Sequence, residues 1–351
     1  MKNFGERLHS ARVMAGMSMD QLVKKLGEAV SKQSISKYER GLMKPEDSSL
    51  LLRLSQALNV PVDYFFRDST VSLQTIDFRK KAGLGVKELS SIIEQTRDGL
   101  ERYLELETLL AIGFRFNNPV QDLKITSLED VETAAEMLRK AWGIGLLSPI
   151  TRVFDLLEEN EVRLIELDVA GRWDGLSMMV QGVPVVLLKR GVPGDRSRFT
   201  ALHELGHLIL RFGPRAEPRT IEKHCHAFAG AVLLPANALK AELGGEQRSA
   251  VSLPELVHLK EHYGISIQAA MARIHSLGII SDSAYRRFNI FINVHKLREK
   301  EPFDYGIEEK PTRFMKLLHR ALAEEAISLS KAAVLARTPI EKLKQEMVSG
   351  G

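Results

Sequence analysis

Two histidines four residues apart, in the stretch RFTALHELGHLILRF, constrain this chain more than any other feature of its sequence. At 3.6 residues per turn, position i+4 returns to the face of position i, so His203 and His207 project together only if the stretch is helical. Flanking apolar residues require that helix to lie in a core. Two imidazoles at this spacing bind Zn²⁺ through neutral nitrogens, while Glu204, next to that face, stays off the ion and can take a proton from water. Such a site needs a third protein ligand and leaves a fourth place for water.

Composition narrows what can supply that ligand. Cys225 is the one cysteine, which excludes an internal disulfide and an all-cysteine zinc site, so histidines and carboxylates must hold any metal. With 351 residues, 44% of them hydrophobic and 27% charged, the chain can bury two or three ordinary cores. Its longest apolar runs, such as that around 183–188, fall far short of the ~20 residues that span a bilayer. The opening MKNFGERLHS lacks the apolar centre of a secretion signal, so a cytoplasmic protein with no membrane partner is expected. The net charge of +4 is unevenly placed: residues 1–67 hold 11 Lys+Arg against 7 Asp+Glu, and the remainder holds 38 of each. Local positive charge of this kind is the footprint of a nucleic-acid-binding module.

Within that basic segment Leu8, Ala11, Arg12 and Ala15 follow helical spacing, Gly16 stops the helix, and Ser18 caps a second one carrying Leu22, Val23 and Leu26. After a turn at 27–30, Ser31 is placed to cap a third helix, SKQSISKYERG. Ile35 faces inward there, and Lys32, Gln33, Ser34 and Lys37 face outward, with Arg40 at the helix end. Gln can pair with adenine, Lys with guanine, and Ser with a base edge or phosphate, so this helix is the expected major-groove reader. The segments LHSARVMAGMSMDQLVKKL and SISKYERGLMKPEDSSLLLRLSQALNVPVDYFF resemble the lambda-repressor-like (Xre) helix-turn-helix family over residues 4–66. Glu28-Ala29 are an insertion relative to that pattern. The resemblance implies a double-stranded DNA operator read by a homodimer on paired half-sites; a helical bundle used only for protein contact is the competing reading.

Residues 69–85, with Gly83 and Gly85, have linker composition, and 86–112 reads as one long amphipathic helix. Further helices are expected over 128–142 and 150–158, followed by strands over 162–167, 176–180 and 184–188. Helices before a small sheet give an α+β, mostly helical fold. A helix over 220–234 offers Glu222, His224, Cys225 and His226 near the histidine pair, and Glu222 and His226 share a face.

The stretches DGLSMMVQGVPVVLLKRGVPGDRSRFTALHELGHLIL and IEKHCHAFAGAVLLPANAL resemble the ImmA/IrrE family of zinc metallopeptidases, and the likeness runs over about 129–288. In that family the third ligand is a Glu opening the helix that ends in an LLP-like sequence. Counting back from Leu233-Leu234-Pro235 puts Glu222 there, with His226 as the alternative. His224 lies roughly 200° around the helix from Glu222. His258, His262 and His275 are read as structural. Helices are expected over 303–347, where ISLSKAAVLARTPIEKL has a helix-turn-helix cadence but neutral charge, which favours packing or partner contact.

The expected organisation is therefore a helix-turn-helix domain (1–67), a linker and long helix (68–125), a zincin-like metallopeptidase domain (126–295) and a C-terminal helical extension (296–351). Two functions of different class follow. In the first, a DNA-binding regulator carries a zinc endopeptidase, with metal on His203, His207 and Glu222 and Glu204 as base, that cleaves a related repressor or itself. In the second, a non-enzymatic transcription factor or antitoxin uses the same fold as a sensor or to bind a cognate toxin.

Overall fold

The computed structural model describes residues 2–45, 47–68, 71, 73, 85–244, 247–298 and 301–349. The linker expected over 69–85 lies almost wholly outside them. The chain divides into two units: residues 1–113, 167–173 and 312–351 form one, and residues 114–166 and 174–311 the other.

The first unit opens with α1 (Lys2–Met14), α2 (Met19–Lys25), α3 (Lys32–Glu39), α4 (Ser48–Leu58) and a 3-10 turn at Val62–Phe66. Gly16 adopts φ +61, a left-handed conformation that ends the first helical run at little cost. Ser18 then caps α2 in a reciprocal capping box with Gln21, and Ser31 caps α3 by accepting the Ser34 N–H. Phe4, Leu8, Leu22, Ile35, Leu54 and Phe65 close over one another as the core of these elements. The long helix α5 (Val86–Leu109) carries the unit onward. Arg7 pairs with its Glu101 at 2.7 Å, and its Ser91 hydroxyl donates to the Met14 carbonyl at the end of α1.

The second unit surrounds a small sheet with helices, giving an α+β fold that is mostly helical. In chain order it contains β1 (Lys124–Ile125), α6 (Leu128–Ala141), α7 (Val153–Glu159), β2 (Arg163–Leu167), β3 (Gly175–Val180), β4 (Val183–Lys189) and α8 (Gly194–Ile209). β5 (Arg211–Phe212), α9 (Pro218–Leu233), α10 (Ala236–Leu243), α11 (Leu253–Tyr263), α12 (Ile267–Ser276) and α13 (Asp282–Val294) follow. The main sheet has the order β2-β4-β3, with β3 and β4 antiparallel and Ser177 opposite Val186; β1 and β5 pair in parallel. β4 is buried along nearly its whole length, as a central strand covered on both sides must be. Leu138, Phe154, Val186, Leu205, Phe228 and Ile274 belong to one continuous core.

Two fully buried arginines tie this core together through backbone carbonyls. Arg139 on α6 donates to the carbonyls of Gly145 at 2.7 Å, Ser148 and Val232, and burial pushes its pKa down to about 10. Arg198 on α8 donates to the Ile150 carbonyl and the Tyr305 hydroxyl. Nearby, the Val153 and Phe154 N–H groups donate to the Glu309 carboxylate at 3.0 Å, so α7 starts three residues later than the apolar pattern suggests. A carboxylate at a helix N-terminus satisfies donors that have no partner within the helix.

The C-terminal helices α14 (Arg313–Ala323), α15 (Leu329–Ala336) and α16 (Ile340–Ser349) complete the first unit. Leu318, Leu335 and Leu343 share a core with Tyr103 and Leu106 of α5. Arg102 donates to the Leu335 carbonyl at 2.7 Å, and Arg337 pairs with Asp98 at 2.8 Å.

Candidate metal centre and nucleic-acid face

The metal-ligating candidates sit where α8 and α9 come closest. Gly206, between the two histidines, makes that approach possible: a Cβ there would stand 3.2 Å from Phe228 Cδ1 and 3.4 Å from Cys225 Cβ. Cys225 is fully buried in this contact. The close packing brings Glu222, three residues earlier on α9, over the exposed end of the histidine pair.

His203 Nε2 and His207 Nε2 are 3.1 Å apart, with their rings nearly perpendicular at 82°. Glu222 Oε2 lies 3.2 Å from the first and Oε1 3.3 Å from the second. Ligand atoms of the three residues all fall within 4.8 Å of one another, and among the described residues these are the group able to hold a metal ion. Two imidazole nitrogens and a carboxylate, all aimed at one point, suit a divalent cation chemically. His226 shares the Glu222 face, and its ring lies against His203 (centroids 4.3 Å apart) and Phe199 (5.7 Å). His224 points away and stacks on Phe212; burial, then the Lys223 charge, pushes its pKa down. His258 and His275 meet Glu242 (3.7 Å) and Asp282 (2.7 Å) elsewhere in the unit.

Glu204 is buried, 3% exposed, immediately beside the ligand face. Its Oε2 accepts a hydrogen bond from the Ser177 hydroxyl of β3 at 2.6 Å. Sequence reasoning passed over Ser177; the available signal was a small polar residue two positions after a glycine on a strand next to the histidine helix. Along α8 and α9 from the histidines, a cavity of about 740 Å³ is bounded by Phe199, His226, Gly230 and Ala269.

The candidate DNA-reading residues lie on α3 in the first unit. Gly27 (φ +65) and Glu28 (φ +58) both take left-handed conformations, which lets the longer turn reverse into Ser31. Ile35 and Tyr38 are buried. Lys32, Gln33, Lys37 and Arg40 are exposed, and Ser34 is half-buried with its hydroxyl 3.0 Å from that of Ser31. Lys32 pairs with Asp20 at 2.8 Å, and Arg40 Nε reaches back to the Ser36 carbonyl at 3.4 Å. A two-pronged pair holds α3 against α1: Arg12 Nε and Nη2 donate to Glu39 at 2.6 and 2.8 Å, and His9 lies 3.0 Å from the same carboxylate. Burial would raise the Glu39 pKa, but hydrogen bonds from Arg12 and His9 outweigh it and hold the carboxyl below its ordinary value.

Comparison with known proteins divides along the same lines. Residues 8–65 match the helix-turn-helix family model, and residues 157–275 match the family described as the IrrE N-terminal-like domain. The chain is 43% identical over 65 residues to uncharacterized HTH-type transcriptional regulators of Sinorhizobium medicae and Rhizobium meliloti, a stretch covering 18% of this chain and 45% of each of theirs. It is 39% identical over 64 residues to an uncharacterized transcriptional regulator in the ATPase CF(0) region of Rhodospirillum rubrum, covering 18% of this chain and 56% of that protein. The chain thus spans about half the length of the curated relatives it matches. No helix among the described residues is long and apolar enough to cross a membrane.

Proposed function

We propose that this chain is a sequence-specific DNA-binding regulator that carries a zinc-dependent endopeptidase. The observation that carries the peptidase half is the convergence of His203, His207 and Glu222 beside the buried Glu204. The 3.1 Å between the imidazole nitrogens suits two ligands sharing one zinc at ~2.0–2.1 Å each. Zinc held there would supply Lewis acidity at the reacting carbonyl. His203 and His207 would hold it through Nε2 and Glu222 through a carboxylate oxygen. Glu204 accepts a proton from the water that adds to the peptide carbonyl and passes it to the amine nitrogen as the C–N bond breaks. The cavity past His226 gives a substrate segment room beside the centre, and a related repressor or this chain itself is the proposed substrate.

The DNA half rests on α3, which shows solvent a row of long polar side chains behind a buried Ile35 and Tyr38. Gln33 is the proposed base reader and Lys37 the proposed phosphate contact, with Lys32, Ser34 and Arg40 as further proposed contacts. A homodimer would present two such helices to half-sites one helical turn apart.

The deciding experiment incubates the zinc-loaded chain with a mixture of unstructured peptides and with helix-turn-helix repressors, reading cleavage by mass spectrometry with and without chelator. Chelator-sensitive cuts are expected. Bound zinc with no cut in any substrate would overturn the endopeptidase and turn the reading to a sensor or toxin-binding module.

A further inference from the structure

We propose that Ser177 is the positioning residue for Glu204, holding its carboxylate in one orientation beside the histidine pair. The functional consequence rests on the peptidase reading; the contact itself does not. Alternate residues of a strand share a face, so Gly175 and Ser177 of β3 point the same way, and here that way is toward α8. β3 is an edge strand of its sheet. At Gly175 it presses directly on α8: a Cβ there would stand 2.6 Å from Thr200 Cγ2 and 2.9 Å from Glu204 Cγ. Two residues on, the Ser177 hydroxyl meets Glu204 Oε2 at 2.6 Å, within the short range of hydroxyl–carboxylate bonds.

A glutamate has three rotatable side-chain bonds, and a general base must meet its water within a few tenths of an ångström. Packing of Cγ under Gly175 restrains the start of that side chain, and the Ser177 hydrogen bond restrains its end. Were the serine lost, the carboxylate could turn about its last bonds while His203, His207 and Glu222 stayed in place. The Ser177 hydroxyl donates to Glu204, which is not one of the proposed metal ligands, so its effect should be on turnover rather than on metal content.

The test has one readout independent of activity. Ser177→Ala is expected to lower Tm by about 2–5 °C in the otherwise unaltered full chain, but by no more than about 1 °C in a Glu204→Ala background, where the acceptor is already gone. Zinc content should be unchanged. kcat should fall about 10- to 100-fold with KM within about twofold, and Ser177→Thr, which keeps the hydroxyl, should recover most of it. Equal Tm losses in the two backgrounds would overturn the contact. Coupled Tm losses with unaltered kcat would overturn the positioning role. If thermal coupling persisted in a chain whose Ser177 form cleaves nothing, the peptidase reading would fall and take the role with it, leaving Ser177 as the structural partner of a buried carboxylate.

Discussion

Glu222 and His226 stand one turn apart on α9, yet the carboxylate reaches both imidazoles while His226 lays its ring against one of them. Reach therefore separates two residues that helical spacing alone left equal. Glu222→Ala should weaken zinc binding by more than the roughly 10- to 100-fold typical of losing an outer partner, whereas His226→Ala should keep its metal. Metal analysis after dialysis decides it: zinc retained in the first variant and lost from the second would exchange their assignments. A second residue-scale expectation concerns Glu39, whose carboxyl the Arg12 and His9 contacts hold below its ordinary pKa against the upward push of burial. A folded-state pKa lower than the unfolded one adds stability that is complete above the unfolded value, about 4.3, and is lost as pH falls through the folded value. Wild type should therefore exceed Glu39→Gln in stability at about pH 5, and that margin should shrink as pH falls below about 4. Thermal unfolding of both proteins across this range tests the sign, and a margin that grew with acidity would refute the pairing.

At the scale of elements, the centre depends on how closely α9 can lie on α8, and Gly206 sets that distance. A methyl group there would press on the fully buried Phe228 and Cys225, which would have to give way by a few tenths of an ångström. Gly206→Ala should destabilise the second unit by about 1–3 kcal/mol through overpacking, and by shifting Glu222 it should also lower zinc affinity. Normal metal affinity with reduced Tm would show that the strain relaxes away from the ligands. Many of the helices in both units were legible in the sequence because their signals are local: the i, i+4 histidines of α8, the Ser18 and Ser31 caps of α2 and α3, and the apolar periodicity of α6. The three strands of the main sheet were also close to their observed bounds, since each is a short apolar run between turn residues, whereas the two-residue β1 and β5 were not expected. What escaped has long-range causes. Glu309 caps α7 from about 155 residues away, and Arg139 and Arg198 bind carbonyls that no periodicity reveals. Leu318 and Leu335 pack on α5 more than 200 residues back, so the C-terminal helices could be predicted as helices but not placed. Ser177 belongs with these, because its partner lies on a different element, and the small polar residue two positions after a glycine gains meaning only once β3 is known to lie against α8.

For the whole molecule, the proposed DNA-reading and hydrolytic residues lie in different compact units of one chain, which makes the two activities chemically separable and open to common regulation. Glu204→Gln is the discriminating change, since it nearly keeps the shape of the side chain and removes the proton acceptor. Zinc content and operator affinity should match wild type, and cleavage should fall by about 100-fold or more. The converse variants act on α3: Gln33→Ala should relax sequence preference, while Lys37→Ala should weaken binding to all sequences and flatten its salt dependence, with hydrolysis intact in both. The excess positive charge of the chain lies within residues 1–67, so a protein lacking them should lose DNA protection altogether. If cleavage drives a switch, Glu204→Gln should stay on its operator under the condition that releases wild type. Footprinting before and after induction, with immunoblotting of the chain and of neighbouring repressors, reads both events together. Residues 69–85, a stretch of linker composition with Gly83 and Gly85, are the proposed cut for cleavage in cis. A fragment ending there in wild type and missing from Glu204→Gln would identify the chain as its own substrate, and loss of a second repressor with this chain intact would identify cleavage in trans. Equal operator release by both proteins, with every candidate substrate intact, would leave the hydrolytic chemistry without a part in the switch.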